Sequence, residues 1–437
     1  MELDKTTLND LSVFNYEEEF SIFHKLNFAL TSGGKETLRE LFGRSLKTIE
    51  EITGVQQTLQ QIRVKKNNWP QMISNGTMMV IVKFYEATID PIPANPSATS
   101  AYSYKVFHGP DYSLVKYSAG HCFDFIKGMQ KLIELFGEDP PLPMKKYLDR
   151  AKEILNKQQF DIVQKKEKHQ DLSGAEMLHL ASFLRYHYKQ NMLELADIYY
   201  QFDAWHGMAL AMDIYGLIFP EFVESRSPII EASQLYHLLL SEPIPYDVDL
   251  NKECNFLFLT GANMAGKSTF IKSVGAAVFL AHIGMGVPAK QMKLTLFDGM
   301  LSNINVIDNI VKGESYFFNE VQRVKNTILK INDGRKWLIL IDELFKGTNV
   351  QDAMKCSTVV IEGLIKIKNS LFILSTHLYE IGEALQSHSN ISFKYFETVV
   401  EDEQLKFSYQ LKDGISNDRL GYLILKREKV IELLEKL

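Results

Sequence analysis

A glycine-rich turn in the middle of the chain, "GANMAGKST", has residue types and spacing suited to holding phosphate. Four residues separate Gly261 from Gly266, and Lys267 follows at once, which is the spacing of a P-loop. Glycines let backbone N–H groups approach a polyphosphate, and the next helix adds its positive N-terminal end. Lys267 would reach the terminal phosphates, and the Ser268 hydroxyl would bind Mg²⁺. The turn therefore predicts a nucleotide site.

Two further apolar stretches deliver the polar residues that hydrolysis needs. The first, residues 338–341, ends at the acidic pair Asp342 and Glu343. Asp342 would hold the Mg²⁺ shell, and Glu343 would take a proton from the attacking water, which favours an ATPase over a kinase. The second, residues 372–375, precedes His377, which would sense the γ-phosphate or align the water.

The predicted site residues thus fall into three groups. Glu343 and His377 are the predicted catalytic residues, and Ser268 and Asp342 are the predicted ligands of Mg²⁺. The predicted cradle for ATP consists of Gly261, Ala262, Asn263, Met264, Ala265, Gly266, Lys267, Ser268 and Thr269. Composition and spacing predict an Mg²⁺-dependent ATPase, but they do not identify its substrate.

The predicted secondary structure that positions these residues changes near residue 229, from mainly helical to alternating strands and helices. Residues 1–228 have mainly helical periodicity. Predicted helices cover about 11–62, 71–87, 143–170, a stretch opening with the capping box Ser173 to Glu176, and 194–218. The helix over 143–170 would be about 40 Å long and would lie antiparallel to the next one.

Two segments of the helical half have more than one interpretation. Residues 90–113 are rich in Pro, Ser and Tyr and predict a connection with a short strand near 103–107. The tyrosines would stack on bases, or more simply pack or stay exposed. The run "KKEKH", residues 165–169, would touch a DNA backbone or form a solvated face, and the solvated face is favoured.

Residues 229–437 predict an α/β domain. Short apolar strands at 256–260, 338–341 and 372–375 alternate with helices, which is typical of a mostly parallel sheet covered on both faces. Residues 392–411 predict a hairpin, and 427–437 a closing amphipathic helix.

Length and composition set the outer limits. The 437 residues predict two or three domains, and 46% hydrophobic and 23% charged residues are ordinary for a globular protein. A membrane location is excluded by the lack of a long apolar stretch, and three cysteines with a polar start favour a reducing cytoplasm. The net charge of -6 neither indicates nor excludes the binding of nucleic acid.

The motifs together resemble the ATPase domain of the MutS family of DNA mismatch-repair proteins. The resemblance rests on "TGANMAGKSTFIKSVG", "GESYFFNEVQRV", "IDELFKGTN" and "STHLYEI", with the pair Asn263 and Met264 inside the P-loop. Upstream, "FHKLNFALTSGGKETLRELFGRSLKTIEEITGVQQTLQQI" and "ELADIYYQFDAWHGMALAMDIYGLIFPEF" are similar to the two ends of the family's helical core.

The resemblance implies an architecture and a mechanism. A helical core and lever domain, 1–228, would precede an ABC-like P-loop ATPase domain, 229–437, that dimerises. Ser315 would point into the partner's site and contact its γ-phosphate in trans. ATP binding would then close a homodimer on double-stranded or branched DNA.

The chain also departs from the family pattern. The core begins near residue 1, which implies that the mismatch-reading and connector modules are missing. Ala262 and Ala265 replace a proline and a glycine, a mild change because backbone groups contact the phosphates. Phe345 and Lys346 stand where Gly-Arg is usual, which would alter the local loop.

Three functions stay open at this point. The favoured one is a MutS-type ATPase that clamps DNA without classical mismatch reading, in mismatch repair or recombination. A second is a nucleotide-gated scaffold without catalysis, which Glu343 and His377 argue against. A third is an ATPase of the same type that binds structured RNA or a ribosome instead of DNA.

Overall fold

The computed structural model describes residues 1–304, 316–401, 404–416, 430 and 433. The chain folds into two compact units. The α/β unit comprises Met1–Lys25, Ser45–Ile52 and Tyr215–Leu437, and the helical unit comprises Leu26–Arg44 and Thr53–Ile214. The predicted domain boundary between residues 228 and 229 stays a prediction. Ser315 and the predicted closing helix, 427–437, fall outside the described residues, apart from helical positions 430 and 433.

The described residues form fifteen α-helices, four short 3₁₀ turns and ten strands. The helices are α1 (Lys5–Asp10), α2 (Ile22–Leu26), α3 (Ser32–Phe42), α4 (Ile49–Lys65), α5 (Asn75–Glu86), α6 (Ala98–Phe107), α7 (Gly109–Phe136), α8 (Leu142–Leu155), α9 (Asp161–Lys165), α10 (Gly174–Tyr186), α11 (Lys189–Ile214), α12 (Lys267–His282), α13 (Tyr316–Ile331), α14 (Val350–Leu364) and α15 (Tyr379–Leu385). The 3₁₀ turns are Glu18–Phe20, Lys66–Asn68, Gln158–Phe160 and His169–Asp171. The strands are β1 (Glu221–Phe222), β2 (Ile230–Leu235), β3 (Tyr246–Leu250), β4 (Phe256–Thr260), β5 (Gln291–Leu294), β6 (Gly299–Asn303), β7 (Trp337–Asp342), β8 (Ser370–Ser375), β9 (Ile391–Glu401) and β10 (Gln404–Asp413).

The larger sheet of the α/β unit has six strands in the order β10-β9-β4-β8-β7-β6. The five strands from β9 to β6 are parallel, and β10 pairs antiparallel with β9. These observations confirm the predicted strands at 256–260, 338–341 and 372–375 and the predicted hairpin. A smaller four-stranded sheet, in the order β1-β5-β2-β3, was not predicted. The chain therefore combines helical and α/β structure.

The central strands are apolar because both of their faces are covered. Every residue of β4, β7 and β8 is buried, which is typical of a parallel sheet inside an α/β layer structure. The pairing register sets Leu259 beside Ser375 and Ser375 beside Asp342. The polar residues that end these strands therefore meet at the carboxyl edge of the sheet.

The first residues of the chain belong to the α/β unit. The backbone of Glu2 bridges Gly299 of β6, donating to Asp298 and accepting from Met300. One carboxylate oxygen of the buried Asp10 accepts from the Ser302 hydroxyl at 2.5 Å and from a backbone amide at 3.1 Å. This segment supplies the edge strand β6 with hydrogen-bond partners.

A buried carboxylate organises the start of α3 in the helical unit. Asp203 of α11 is fully buried and accepts hydrogen bonds from the backbone of Leu30 and from both the backbone and hydroxyl of Thr31. A Cβ at Gly34 would lie 2.1 Å from its Oδ2. The glycine therefore lets α3 approach α11 closely. Burial raises the pKa of Asp203, and the bonds from Thr31 and Leu30 oppose that rise.

The prediction of one helix over 143–170 was wrong. Helix α8 ends at Leu155, and a 3₁₀ turn, α9 and a second 3₁₀ turn follow. The Tyr188 hydroxyl donates to the carbonyl of Ile154 at 2.7 Å, so it satisfies a group that the broken helix leaves free. Phe160 turns inward and packs edge-on against Phe183 and Tyr188. Tertiary packing thus overrides the local helical pattern.

The prediction of an irregular segment with a strand near 103–107 was also wrong. Residues 98–107 form α6, and α7 begins at Gly109. The Ser97 hydroxyl accepts from the amide of Ser100 at 3.2 Å and caps α6. Pro110 lies in the first turn of α7, where proline is tolerated. The predicted capping box between Ser173 and Glu176 is confirmed, with both of its hydrogen bonds present.

No helix in the described ranges is long and apolar enough to cross a bilayer. The three cysteines, Cys122, Cys254 and Cys356, are free thiols.

Gly299→Ala is expected to destabilise the protein by about 1–3 kcal/mol because it overpacks the sheet. A Cβ at this position would lie 2.0 Å from the ring of Trp337, the fully buried residue opposite it in β7. The measurement is the urea midpoint of unfolding. Gly363→Ala is the matched control, because a Cβ there meets no atom within 4 Å and the exposed helical site favours Ala. Equal midpoints for the two variants would contradict the prediction.

Candidate functional site

The glycine turn between β4 and α12 depends on left-handed backbone. Gly261 has φ 137° and Gly266 has φ 111°, conformations that L side chains rarely adopt. Met264 also has a positive φ, 69°, and its side chain is exposed. A Cβ at Gly261 would lie 3.1 Å from the carbonyl oxygen of Phe396 in β9. Both glycines are therefore required by the path of the backbone.

The Lys267 side chain is buried inside this turn. Its Nζ donates to the carbonyl oxygens of Gly261 at 2.7 Å and Ala262 at 3.0 Å. Burial lowers the pKa of Lys267, whereas the charges of Glu343 and Asp342 raise it. The loop carbonyls thus fix the ammonium group at the mouth of the turn, with two carboxylates within electrostatic range.

Asp342 connects the first turn of α12 to the ends of two strands. Its Oδ2 accepts from the Ser268 hydroxyl at 2.5 Å, and its Oδ1 accepts from the Ser375 hydroxyl. The two predicted Mg²⁺ ligands, Ser268 and Asp342, are therefore adjacent. A hydroxyl beside a carboxylate is the oxygen donor set that Mg²⁺ prefers, so these residues fit the ion.

Glu343 lies at the edge of the same site in a strained conformation. Its φ is 60°, and its amide donates to the Ser375 carbonyl at 2.9 Å. One carboxylate oxygen is 3.1 Å from Lys346 Nζ and the other is 3.5 Å from His377 Nδ1. The hydrogen bond from His377, with the nearby charge of Lys346, lowers the pKa of Glu343 to about 2. Glu343 is thus a carboxylate throughout the neutral range.

Glu320 holds the loop that follows Glu343. It is buried, and its two carboxylate oxygens accept from the amides of Lys346 at 3.1 Å and Gly347 at 3.2 Å. Phe345 has φ 60°, a costly value for a bulky residue, and its buried ring lies 5.7 Å from that of Phe317. The departure predicted to alter this loop is therefore accommodated by aromatic packing.

The site opens into a cavity of about 460 Å³. The predicted residues in its wall are Ala262, Asn263, Met264, Gly266, Lys267, Ser268, Thr269 and Glu343. The other wall residues are Leu240, Glu242, Ile244, Tyr246 and Tyr409. Ala265 is buried below the wall, where its amide donates to the carbonyl of Ala262. The structure thus brings the predicted cradle and Glu343 to one cavity, with Asp342 and His377 in direct contact with its residues.

Sequence reasoning missed several residues of this site. Ser375 ends a predicted strand, so the register of the sheet offered a signal for its contact with Asp342. Lys346 was noted only as a departure, and its position three residues after Glu343 was the available signal. Tyr246 and Tyr409 come from distant strands, β3 and β10, and no local pattern indicated them.

The fold and these contacts define a class: an α/β protein whose polar site lies at the carboxyl edge of a mostly parallel sheet, beside a glycine turn that opens a helix. Residues 257–432 match the family model for MutS domain V. The matched segment contains the turn, both strand ends and Glu343.

Known proteins are similar over about half of the chain. A DNA mismatch repair protein MutS from Pseudothermotoga lettingae is 30% identical over 238 residues, 53% of this chain and 28% of that protein. The Petrotoga mobilis MutS is 26% identical over 292 residues, 64% of this chain and 34% of that protein. The DNA mismatch repair protein spellchecker 1 of Drosophila melanogaster is 31% identical over 202 residues, 46% of this chain and 21% of that protein.

The match to MutS domain V and the similarity to MutS proteins over about half of the chain support the resemblance to the MutS family that the motifs predicted. It spans about a third or less of the length of these curated relatives, 34% in the Petrotoga protein and 21% in the Drosophila protein.

Lys346→Ala is expected to raise the pKa of Glu343 from about 2 towards its ordinary value of 4.5, because it removes the cation 3.1 Å away. A lowered native pKa stabilises the folded state above pH 4.5, and that contribution is lost as pH falls from 4.5 to about 2. The variant should lose less stability over that interval. Carbon-13 NMR titration of the Glu343 carboxyl, assigned with Glu343→Gln, measures the shift. Lys355→Ala, an exposed lysine on α14, is the control, and an unchanged pKa in Lys346→Ala would contradict the prediction.

Proposed function

We propose that this chain is an Mg²⁺-dependent ATPase of MutS type that couples its nucleotide state to DNA binding. The observation that carries the proposal is the meeting of three groups beside one cavity. These are the buried Lys267 ammonium, the hydrogen-bonded pair of Ser268 and Asp342, and the ionised Glu343. A cation, an oxygen donor pair and a carboxylate are the parts that phosphoryl transfer to water requires.

ATP binding would use the turn and the cavity wall. The amides at the start of α12 and the Lys267 ammonium would hold the phosphates. Lys267 already donates to two loop carbonyls, so phosphate oxygens would take over or share those hydrogen bonds. Tyr246 and Tyr409 in the wall would supply apolar surface to the nucleoside.

Ser268 and Asp342 would hold Mg²⁺, which when bound polarises phosphate oxygens and neutralises their charge. Ser375 fixes the Asp342 carboxylate from its other oxygen, so the side chain is oriented before any ligand arrives. The contact between Ser375 and Asp342, at the ends of β8 and β7, therefore orients the carboxylate for the ion.

Hydrolysis would depend on Glu343 and His377. Glu343 is ionised and able to accept a hydrogen bond from a water molecule. Its pKa of about 2 makes it a weak base, so it would orient the water and accept the proton late in the reaction. His377 lies 3.5 Å from Glu343, and its half-exposed ring would contact the γ-phosphate or the same water.

DNA binding and dimerisation extend the proposal to partners. The relatives carry the name DNA mismatch repair protein, and the chain covers only part of each. We therefore propose double-stranded or branched DNA as the partner, and a homodimer in which Ser315 of one chain completes the site of the other. Glu320 supports this coupling, because it connects α13, the helix after Ser315, to the loop after Glu343.

Lys267→Ala is expected to abolish ATP binding, because the phosphates lose their cation. Glu343→Gln should bind ATP normally and lower kcat by about 10²–10⁴-fold, the usual contribution of a general base. Equilibrium binding of labelled ATP and steady-state phosphate release measure the two effects. Lys355→Ala is the matched control and should keep the activity of the parent. Phosphate release by Glu343→Gln at the parent rate would overturn the catalytic role.

The same assay tests the partner. Duplex DNA, mismatched duplex, a four-way junction and structured RNA are each added at two salt concentrations, with Lys267→Ala as the blank. DNA binding should weaken steeply as salt rises, because phosphate contacts carry most of the affinity. Stimulation by RNA alone would favour the RNA alternative, and a parent without turnover would favour the scaffold.

A further inference from the structure

The helical unit has a cavity of its own, of about 760 Å³, a volume within the range of small-molecule sites. Its wall is built from α6, α7, α10 and the 3₁₀ turn His169–Asp171. All of its lining residues belong to the helical unit. The proposed ATP site belongs to the α/β unit and leaves this cavity without a role.

The wall of this cavity is basic. Lys105, Lys116, His121 and His169 line it, and none of the described lining residues is acidic. Neither lysine forms a salt bridge within the described ranges of the chain. Two lysines in a wall that has no acidic lining residue favour an anionic ligand.

His169 is held in the wall by its neighbours. Its Nδ1 lies 3.1 Å from both carboxylate oxygens of Asp124, so Asp124 orients the ring. A Cβ at Gly120 would lie 2.9 Å from His169 Cδ2, so glycine is the residue that lets the ring lie against α7. The imidazole is thus held in the wall of the cavity by Asp124 and by the close approach of α7.

Aromatic rings lie beside the cations. Lys105 Nζ is 6.0 Å from the centroid of the Tyr112 ring, and the Tyr117 ring meets His121 edge-on at 4.7 Å. Tyr112 and Tyr117 both line the cavity, and Tyr117 is 59% exposed. Cations beside aromatic rings suit a ligand with a phosphate and a planar ring.

We propose that this cavity is a second binding site, for a single nucleotide. Its phosphate would lie against Lys105 and Lys116, and its base against Tyr117. Tyr112 and His169 both line this cavity. Tyr112 belongs to the tyrosine-containing segment 90–113, which was interpreted as packed or exposed. His169 ends the "KKEKH" run, which was interpreted as a solvated face. The nucleotide is free or is one unit of a nucleic-acid strand, and these two sources share the same chemistry.

The test is isothermal titration calorimetry on the full chain carrying Lys267→Ala, which keeps the proposed ATP site from contributing. The probes are AMP, inorganic phosphate and a short oligothymidylate. We expect one AMP bound per chain, and a loss of affinity of at least about tenfold in Lys105→Glu/Lys116→Glu. Lys131→Glu/Lys146→Glu is the matched control, because it also reverses two charges, at exposed positions of α7 and α8 outside the cavity. It should keep the affinity of the parent.

Ser113→Trp is the second variant. It fills the cavity from α7 without changing charge, at an exposed position, and should weaken the same binding. Circular dichroism confirms that each variant is folded. If oligothymidylate binds in a manner that depends on the cavity and AMP does not bind, the ligand is a unit of a nucleic-acid strand. If AMP binds and oligothymidylate does not, the ligand is a free nucleotide. Failure of every probe to bind, or binding that all variants keep, overturns the proposal.

Discussion

The carboxylate of Asp342 is the contact on which the polar site of the α/β unit depends. Through its two oxygens it accepts hydrogen bonds from Ser268 at the start of α12 and from Ser375 at the end of β8. Three segments that are distant in the sequence are thereby held at one edge of the sheet. The carboxylate is buried, so it needs these partners, and the partners in turn acquire fixed positions.

Strain and charge are concentrated directly after this contact. Glu343 and Phe345 have positive φ values, and Lys346 and His377 both approach the Glu343 carboxylate. Such backbone conformations persist only where the surroundings hold them. Here Glu320 stabilises the loop, because its carboxylate accepts hydrogen bonds from two successive loop amides. The loop is therefore connected both to α13 and to the strand that precedes it.

The helical unit uses buried polar groups in a different way. Asp203 satisfies the amides that open α3, and the Tyr188 hydroxyl satisfies a carbonyl that the end of α8 leaves free. Both contacts join elements far apart in sequence. They fix where α3 begins and where α8 ends.

The sequence by itself identified the strands of the α/β unit and the residues that meet beside its cavity. The glycine spacing, the acidic pair and the apolar stretches are local signals, since a buried parallel strand must be apolar along its whole length. The resemblance to the MutS family, too, rests on these motifs. The tertiary structure alone decided the break after Leu155, the helix over 98–107, the four-stranded sheet and the contacts of Ser375, Tyr246 and Tyr409. These features depend on partners from remote segments, such as Phe160 packing on Tyr188, and no local periodicity carries that information.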